Sequence, residues 1–174
     1  LKAGVRSIEH ANFATEETVA MMAEDGAFFD PTFISLSQRV ETASETHLAS
    51  PIVKNLEYTI SCGHQVYRWA KQYNVPIAFG TDLWGPEARK SQVREFEMRM
   101  GLDSPTNIIR SATSTNATLL MQTDKLGTIA PGAYADLLVV DGDPLTDLRV
   151  MLDPRSNLNL IMKDGVIYKN ELAT

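Results

Sequence analysis

Val75-Pro76-Ile77-Ala78-Phe79-Gly80-Thr81-Asp82-Leu83-Trp84 is the stretch on which the reading of this chain turns. Pro76 to Phe79 is a short apolar run that stops at Gly80-Thr81-Asp82. An uninterrupted apolar run between breakers is the pattern of a parallel strand covered on both faces. A carboxylate where such a strand ends has left the packed interior and faces the mouth of the sheet. In barrel enzymes that is where catalytic groups sit. Asp82 is therefore the first candidate functional residue.

Working outward, Gly4 to His10 reads as a strand that ends on a histidine. Thr15-Glu16-Glu17-Thr18 starts a helix, with acids in its first turn, and Val19, Met22 and Ala23 mark the apolar face. Gly26 stops that helix, and Ala27 to Thr32 reads as the next strand. Phe33 onward is expected to be irregular, and helical spacing returns at Ile52, Leu56 and Ile60. A separate helix is expected from about His64 to Tyr73. Strands alternating with helices predict an α/β body with a parallel sheet and crossover connections.

Beyond Trp84, Gln92 to Met100 reads as a short charged helix with Glu95 and Glu97 on a solvated face. Ser104-Pro105 opens an amphipathic helix over Ile108 to Leu120. After Thr123 the texture changes to short strands between Gly and Pro turns. Asp164-Gly165, between Leu158–Met162 and Val166–Tyr168, is a hairpin signal. The expected division is an α/β part over 1–123 and a small β part over 124–174.

Composition narrows the function classes. The 174 residues are 44% hydrophobic, enough for a sizeable core. Sixteen basic and 22 acidic residues give a net charge of −6 with no basic stretch, which argues against nucleic acid or an anionic membrane as partner. Cys62 is the lone cysteine, so no intrachain disulfide forms and a reducing compartment fits. No apolar run reaches membrane-spanning length. The expected location is cytoplasmic, or periplasmic if a signal peptide lies upstream. The opening Leu1-Lys2-Ala3 enters mid-pattern and suggests a piece of a longer polypeptide.

His10 and Asp82 each carry a plain alternative, a structural histidine and a turn or cap carboxylate. Taken together they converge on one end of a parallel sheet, and imidazole and carboxylate are ligand types that Zn²⁺ accepts. A catalytic zinc takes about three protein ligands, and the chain offers no clear third. His47, in a polar loop, and His64, at a helix start, are weaker candidates. No phosphate-binding glycine loop and no nucleophile elbow occurs.

Ser7-Ile8-Glu9-His10, Ile77 to Asp82 and the tail from Lys125 to Pro144, followed by Ile161 to Tyr168, resemble the amidohydrolase superfamily. The likeness is to its imidazolonepropionase-like and Xaa-Pro or Xaa-Arg dipeptidase branch, and it covers nearly the whole chain. It implies the C-terminal part of a (β/α)8 TIM barrel, with strand six ending at His10, strand seven at Thr32 and strand eight at Asp82. Residues 124–174 would then be the C-terminal piece of a small β-sandwich.

The resemblance also implies metal-assisted hydrolysis of an amide or peptide C–N bond in a small-molecule or dipeptide substrate. His10 and Asp82 would be metal ligands for one or two Zn²⁺ ions, with other divalent metals compatible. Asp82 would also shuttle a proton from the attacking water to the leaving amine. Trp84 and Arg89 would line the substrate pocket. The family's His-x-His, bridging lysine and strand-five histidine have no counterpart in the chain. This leaves a second reading open, a non-catalytic α/β fragment stable only by association and inactive alone. A homo-oligomer is compatible with either.

Overall fold

In the computed structural model, which describes residues 1–85 and 90–172, β1 (Ser7–Glu9) and β2 (Phe28–Asp30) pair in parallel, Ser7 opposite Phe28 and Glu9 opposite Asp30. On the other side of β2, Phe29 bridges Ile77, also in parallel. The Phe29 N–H donates to the Pro76 carbonyl at 3.0 Å, and the Ala78 N–H donates to the Phe29 carbonyl at 2.8 Å. The apolar run before Asp82 thus lies as a third parallel line beside β2. All three backbones point their C-terminal ends the same way.

The connection from β1 to β2 is the helix α1 (Glu16–Glu24), and local chemistry explains both of its ends. Thr15 is the N-cap, its hydroxyl accepting the Thr18 N–H at 3.2 Å, with Glu16 and Glu17 in the positive first turn. Gly26 leaves the helix at φ 64°, a left-handed value that costs glycine little. Val19 and Met22 lie fully buried one turn apart. Each such burial contributes on the order of 1.5–3 kcal/mol.

Two expectations are corrected in the next segment. Residues after Thr32 are not irregular: α2 (Phe33–Glu41) begins at once, its Phe33 and Ile34 fully buried. And the two helices expected around Cys62-Gly63 are one, α3 (Ser50–Gln72), 23 residues long. Gly63 does not break it, because the glycine makes room. A Cβ there would stand 2.6 Å from Asn12 Nδ2 and 3.0 Å from the Phe33 ring. Val66, Tyr67 and Ala70 complete the buried stripe of α3.

Further on come α4 (Arg94–Arg99), α5 (Pro105–Arg110), a π-helical turn over Ser111–Thr115, and α6 (Asn116–Leu119). Ser104 caps α5 by accepting the Asn107 N–H, as the Ser-Pro entry predicts. The single helix expected to Leu120 is widened at the π turn. There Ser111 and Thr113 donate their hydroxyls to Ile108 and Ile109 carbonyls, competing with the regular ladder. Gly127 sits against the Thr113–Ser114 backbone, where any Cβ would overlap it. Then β3 (Leu137–Val140), a 3₁₀ turn over Leu148–Leu152, α7 (Pro154–Asn157), β4 (Leu158–Lys163) and β5 (Val166–Asn170) follow. β3, β4 and β5 form an antiparallel sheet in that order. Asp164 (φ 50°) and Gly165 (φ 76°) make the expected tight turn between its last two strands.

The chain divides into two compact units, Leu1–Glu95 and Phe96–Thr174. The first is α/β with a core of Val19, Met22, Phe29, Phe33, Val66 and Tyr67. The second holds the short helices and the antiparallel sheet, with Ile108, Ala117, Leu148, Leu158 and Leu160 buried. Among the described residues, no helix is long and apolar enough to cross a membrane.

Candidate active site

His10 follows β1 directly and leaves it in the left-handed region, at φ 63°, with Ala11 at 46° behind it. Thr32, two residues past β2, has φ 44°, and Asp82, past the third parallel line, has φ 48°. Four non-glycine residues in this sparsely populated region, all at one end of one sheet, hold their backbones in place only because surrounding contacts compel it. The chain turns sharply at each strand end and presents a polar side chain there.

Those side chains meet. His10 Nδ1 shares a hydrogen bond of 2.6 Å with Thr32 Oγ1. The other ring nitrogen, Nε2, lies 3.7 Å from Asp82 Oδ2. Both side chains are about half exposed, 48% for His10 and 46% for Asp82, so solvent and a small molecule can reach the gap. The separation is too long for a hydrogen bond. It is shorter than two zinc–ligand bonds of about 2.0–2.1 Å laid end to end, so one ion can touch both atoms. The donor set therefore fits part of a metal site. Among the described residues, no third His, Cys, Asp or Glu side chain joins them to complete a group of three.

Asp30 braces this arrangement from beneath. Its backbone carbonyl accepts the His10 N–H at 2.8 Å, and its carboxylate Oδ1 accepts the Gly80 N–H at 2.9 Å. One residue at the end of the central strand thus fixes the start of both flanking turns. Asp30, Pro31 and Thr32 are all buried, so water does not compete for these bonds. Sequence reading passed over Asp30 and Thr32. The signal was present: a carboxylate ending the apolar Phe28-Phe29 run is the same pattern that singled out Asp82.

Glu95 is a correction. It is fully buried, not on a solvated face, and its carboxylate accepts the Ile34 N–H at 2.9 Å at the start of α2. Glu97 is exposed as expected. Trp84 is 85% exposed, and Arg89 lies outside the described residues. His47 is exposed at φ 52°. His64 stands edge-on to Phe33, ring centroids 4.9 Å apart, and burial, aided by the Arg68 charge, pushes its pKa down. Neither histidine joins His10. Cys62 is half-buried beside Tyr58, and the hydrogen bond between them raises the phenol's pKa.

The profile of the group described as the amidohydrolase family matches residues 1–168. The chain belongs to the amidohydrolase family. A crystal structure of an amidohydrolase, 37% identical, superposes with a TM-score of 0.90 over 99% of this chain and 41% of the other. A prolidase crystallised with N-methylphosphonate-L-proline is 31% identical, with a TM-score of 0.88 over 97% of this chain and 41% of its own. Among curated proteins, the ochratoxinase of Aspergillus niger is 29% identical over 97% of this chain and 35% of its length. The chain thus spans about 35–41% of the length of these relatives. The family resemblance read from the sequence motifs holds, as does the mixed α/β fold.

Proposed function

We propose that the protein carrying this chain is a metal-dependent hydrolase that cleaves an amide or peptide C–N bond in a small substrate. One observation carries the reading: His10 Nε2 and Asp82 Oδ2 face each other at 3.7 Å across the open end of parallel strands in an amidohydrolase family member. The prolidase and Xaa-Pro dipeptidase likenesses favour a dipeptide as substrate. On this reading β1, β2 and the Ile77 line are the last three strands of a (β/α)8 barrel within residues 1–123, and residues 124–174 contribute to a β-sandwich. The remaining ligands belong to parts of the protein outside this chain. Trp84, exposed just past the third parallel line, would border the substrate pocket.

His10 and Asp82 would hold the metal ion, taken as Zn²⁺ from the imidazole and carboxylate donors. When bound, such an ion supplies Lewis acidity toward the scissile carbonyl and a water that is acidic near neutral pH. Asp82 would accept a proton from the attacking water on its carboxylate and give it to the leaving amine nitrogen. Its half-exposed position past the strand end leaves the carboxylate open to solvent. The buried bracing by Asp30 keeps that carboxylate from drifting, since small displacements at a reacting centre cost large factors in rate.

The test is hydrolysis of Xaa-Pro dipeptides by the full-length protein, with zinc content measured in parallel. Asp82→Asn is expected to lower turnover by about 10²–10⁴ while leaving the melting temperature in place. Turnover equal to that of the unaltered protein would remove Asp82 from the proposed role.

A further inference from the structure

We propose that Thr32 is a positioning residue whose hydroxyl fixes the tautomer of His10, holding the hydrogen on Nδ1 so that the Nε2 lone pair faces Asp82. The inference rests on the reading of His10 as a metal ligand, and it adds a residue and a task that the family likeness does not assign.

Three observations converge on it. The Thr32 hydroxyl lies 2.6 Å from Nδ1, and the residue is 4% exposed, so no water substitutes for the ring there. Next, Thr32 occupies the N-cap of α2 without capping it. A threonine at that position ordinarily turns its hydroxyl onto an N–H of the first helical turn. Here Glu95 accepts the Ile34 N–H at 2.9 Å instead, although it lies 61 residues away in sequence. The hydroxyl is thereby left to the histidine. Thirdly, Thr32 has φ 44° and ψ 47°, a conformation that a β-branched residue avoids and that glycine or asparagine would take with less strain. A strained threonine whose hydroxyl has a single acceptor-donor task is better explained by that task than by packing.

The Nε2 to Oδ2 distance points the same way. An N–H aimed at a carboxylate closes to about 2.7–2.9 Å. A lone pair facing a carboxylate does not, and the observed 3.7 Å is what two acceptors keep between them. With Nδ1–H donated to Thr32 Oγ1, His10 offers only its Nε2 lone pair to the opening, the form in which a neutral imidazole ligates a metal.

The experiment is ¹⁵N-histidine NMR of the full-length, metal-stripped protein, with the His10 signals identified by their loss in His10→Gln. His10 is expected to show a protonated Nδ1 and a bare Nε2. Thr32→Val, which keeps shape and backbone but loses the hydroxyl, is expected to shift His10 toward Nε2–H and to weaken zinc binding by about 10–100-fold. Thr32→Ser is expected to restore both. A wild-type His10 found as the Nε2–H tautomer overturns the proposal, whether or not the valine variant folds. So does a folded valine variant with unchanged tautomer. If His10→Gln leaves zinc affinity unchanged, the ligand reading of His10 fails by itself, while the tautomer shift in Thr32→Val still decides the role of Thr32.

Discussion

The Asp30 carboxylate accepts the Gly80 N–H at 2.9 Å, while the carbonyl of the same residue accepts the His10 N–H at 2.8 Å. The two side chains that face each other across the site, His10 and Asp82, therefore start from turns tied to one buried residue. Their relative position depends on a central brace that holds the backbone of both turns. This explains why a half-exposed pair can be held in a fixed arrangement without a direct hydrogen bond between its members.

Gly80→Ala tests that brace. Gly80 does not occupy the left-handed region, so its role is steric: a Cβ would overlap the Asp30 Oδ2 atom. Relief requires moving the buried carboxylate or the turn that leads to Asp82. We expect a loss of about 1–3 kcal/mol in denaturant unfolding and a clear fall in turnover. In an Asp30→Ala background the alanine should cost less by about 1 kcal/mol, because the overlapping atom is gone. Equal costs in both backgrounds would show that the two residues do not press on one another.

What the sequence disclosed followed from local chemistry. The strand–helix–strand over the first thirty-two residues was legible because Thr15, Val19, Met22 and Gly26 each act within a few positions of themselves. The Asp164-Gly165 turn was legible for the same reason. The misses all involve distant partners. A separate helix from about His64 is expected, whereas α3 runs through Gly63, onto which Asn12 and Phe33 pack. Glu95 reads as solvated until the Ile34 N–H arrives. α2 has an N-cap residue type in Thr32 but no capping hydrogen bond, because Thr32 is left-handed and turned toward His10, 22 residues back. The candidate site was half legible: Asp82 and His10 stand at strand ends, a positional signal that Asp30 shares, whereas the tasks of Asp30 and Thr32 are set by three-dimensional contacts.

Glu41 and Arg94 predict an acid-sensitive contribution to stability. Two hydrogen bonds of 2.7 Å join the guanidinium and the carboxylate side by side. The Arg94 bond holds the Glu41 pKa below its ordinary value, against a smaller opposing effect of burial. The folded value is depressed, so the contribution is present above the unfolded glutamate pKa and lost as pH falls through the folded one. Both side chains are partly solvated, which limits the pair to about 0.3–1 kcal/mol. A double-mutant cycle with Glu41→Gln and Arg94→Gln should give that coupling at pH 7, a coupling that shrinks steadily as the pH falls through the folded Glu41 pKa, and less in about 1 M salt. Coupling independent of pH would mean that the pair acts by packing alone.

His64 makes the second pH-dependent prediction, in a window nearer neutrality. Burial is the larger cause of its depressed pKa, and the Arg68 charge adds to it. The ring packs edge-on against Phe33, the first residue of α2 and the neighbour of Thr32. In the unfolded chain the imidazole takes a proton near pH 6.5, whereas the folded site resists it. Its contribution is therefore complete above about pH 6.5 and lost as pH falls through the lower folded value. Lowering the pH from 7.5 to 5 should reduce the melting temperature more in the unaltered protein than in His64→Gln, which cannot take up the proton. Because the strain is applied where α2 begins, ¹⁵N signals of Thr32 and Ile34 should move over the same pH range in the unaltered protein and stay fixed in the variant. Matching pH profiles for the two proteins would assign the acid sensitivity to other groups.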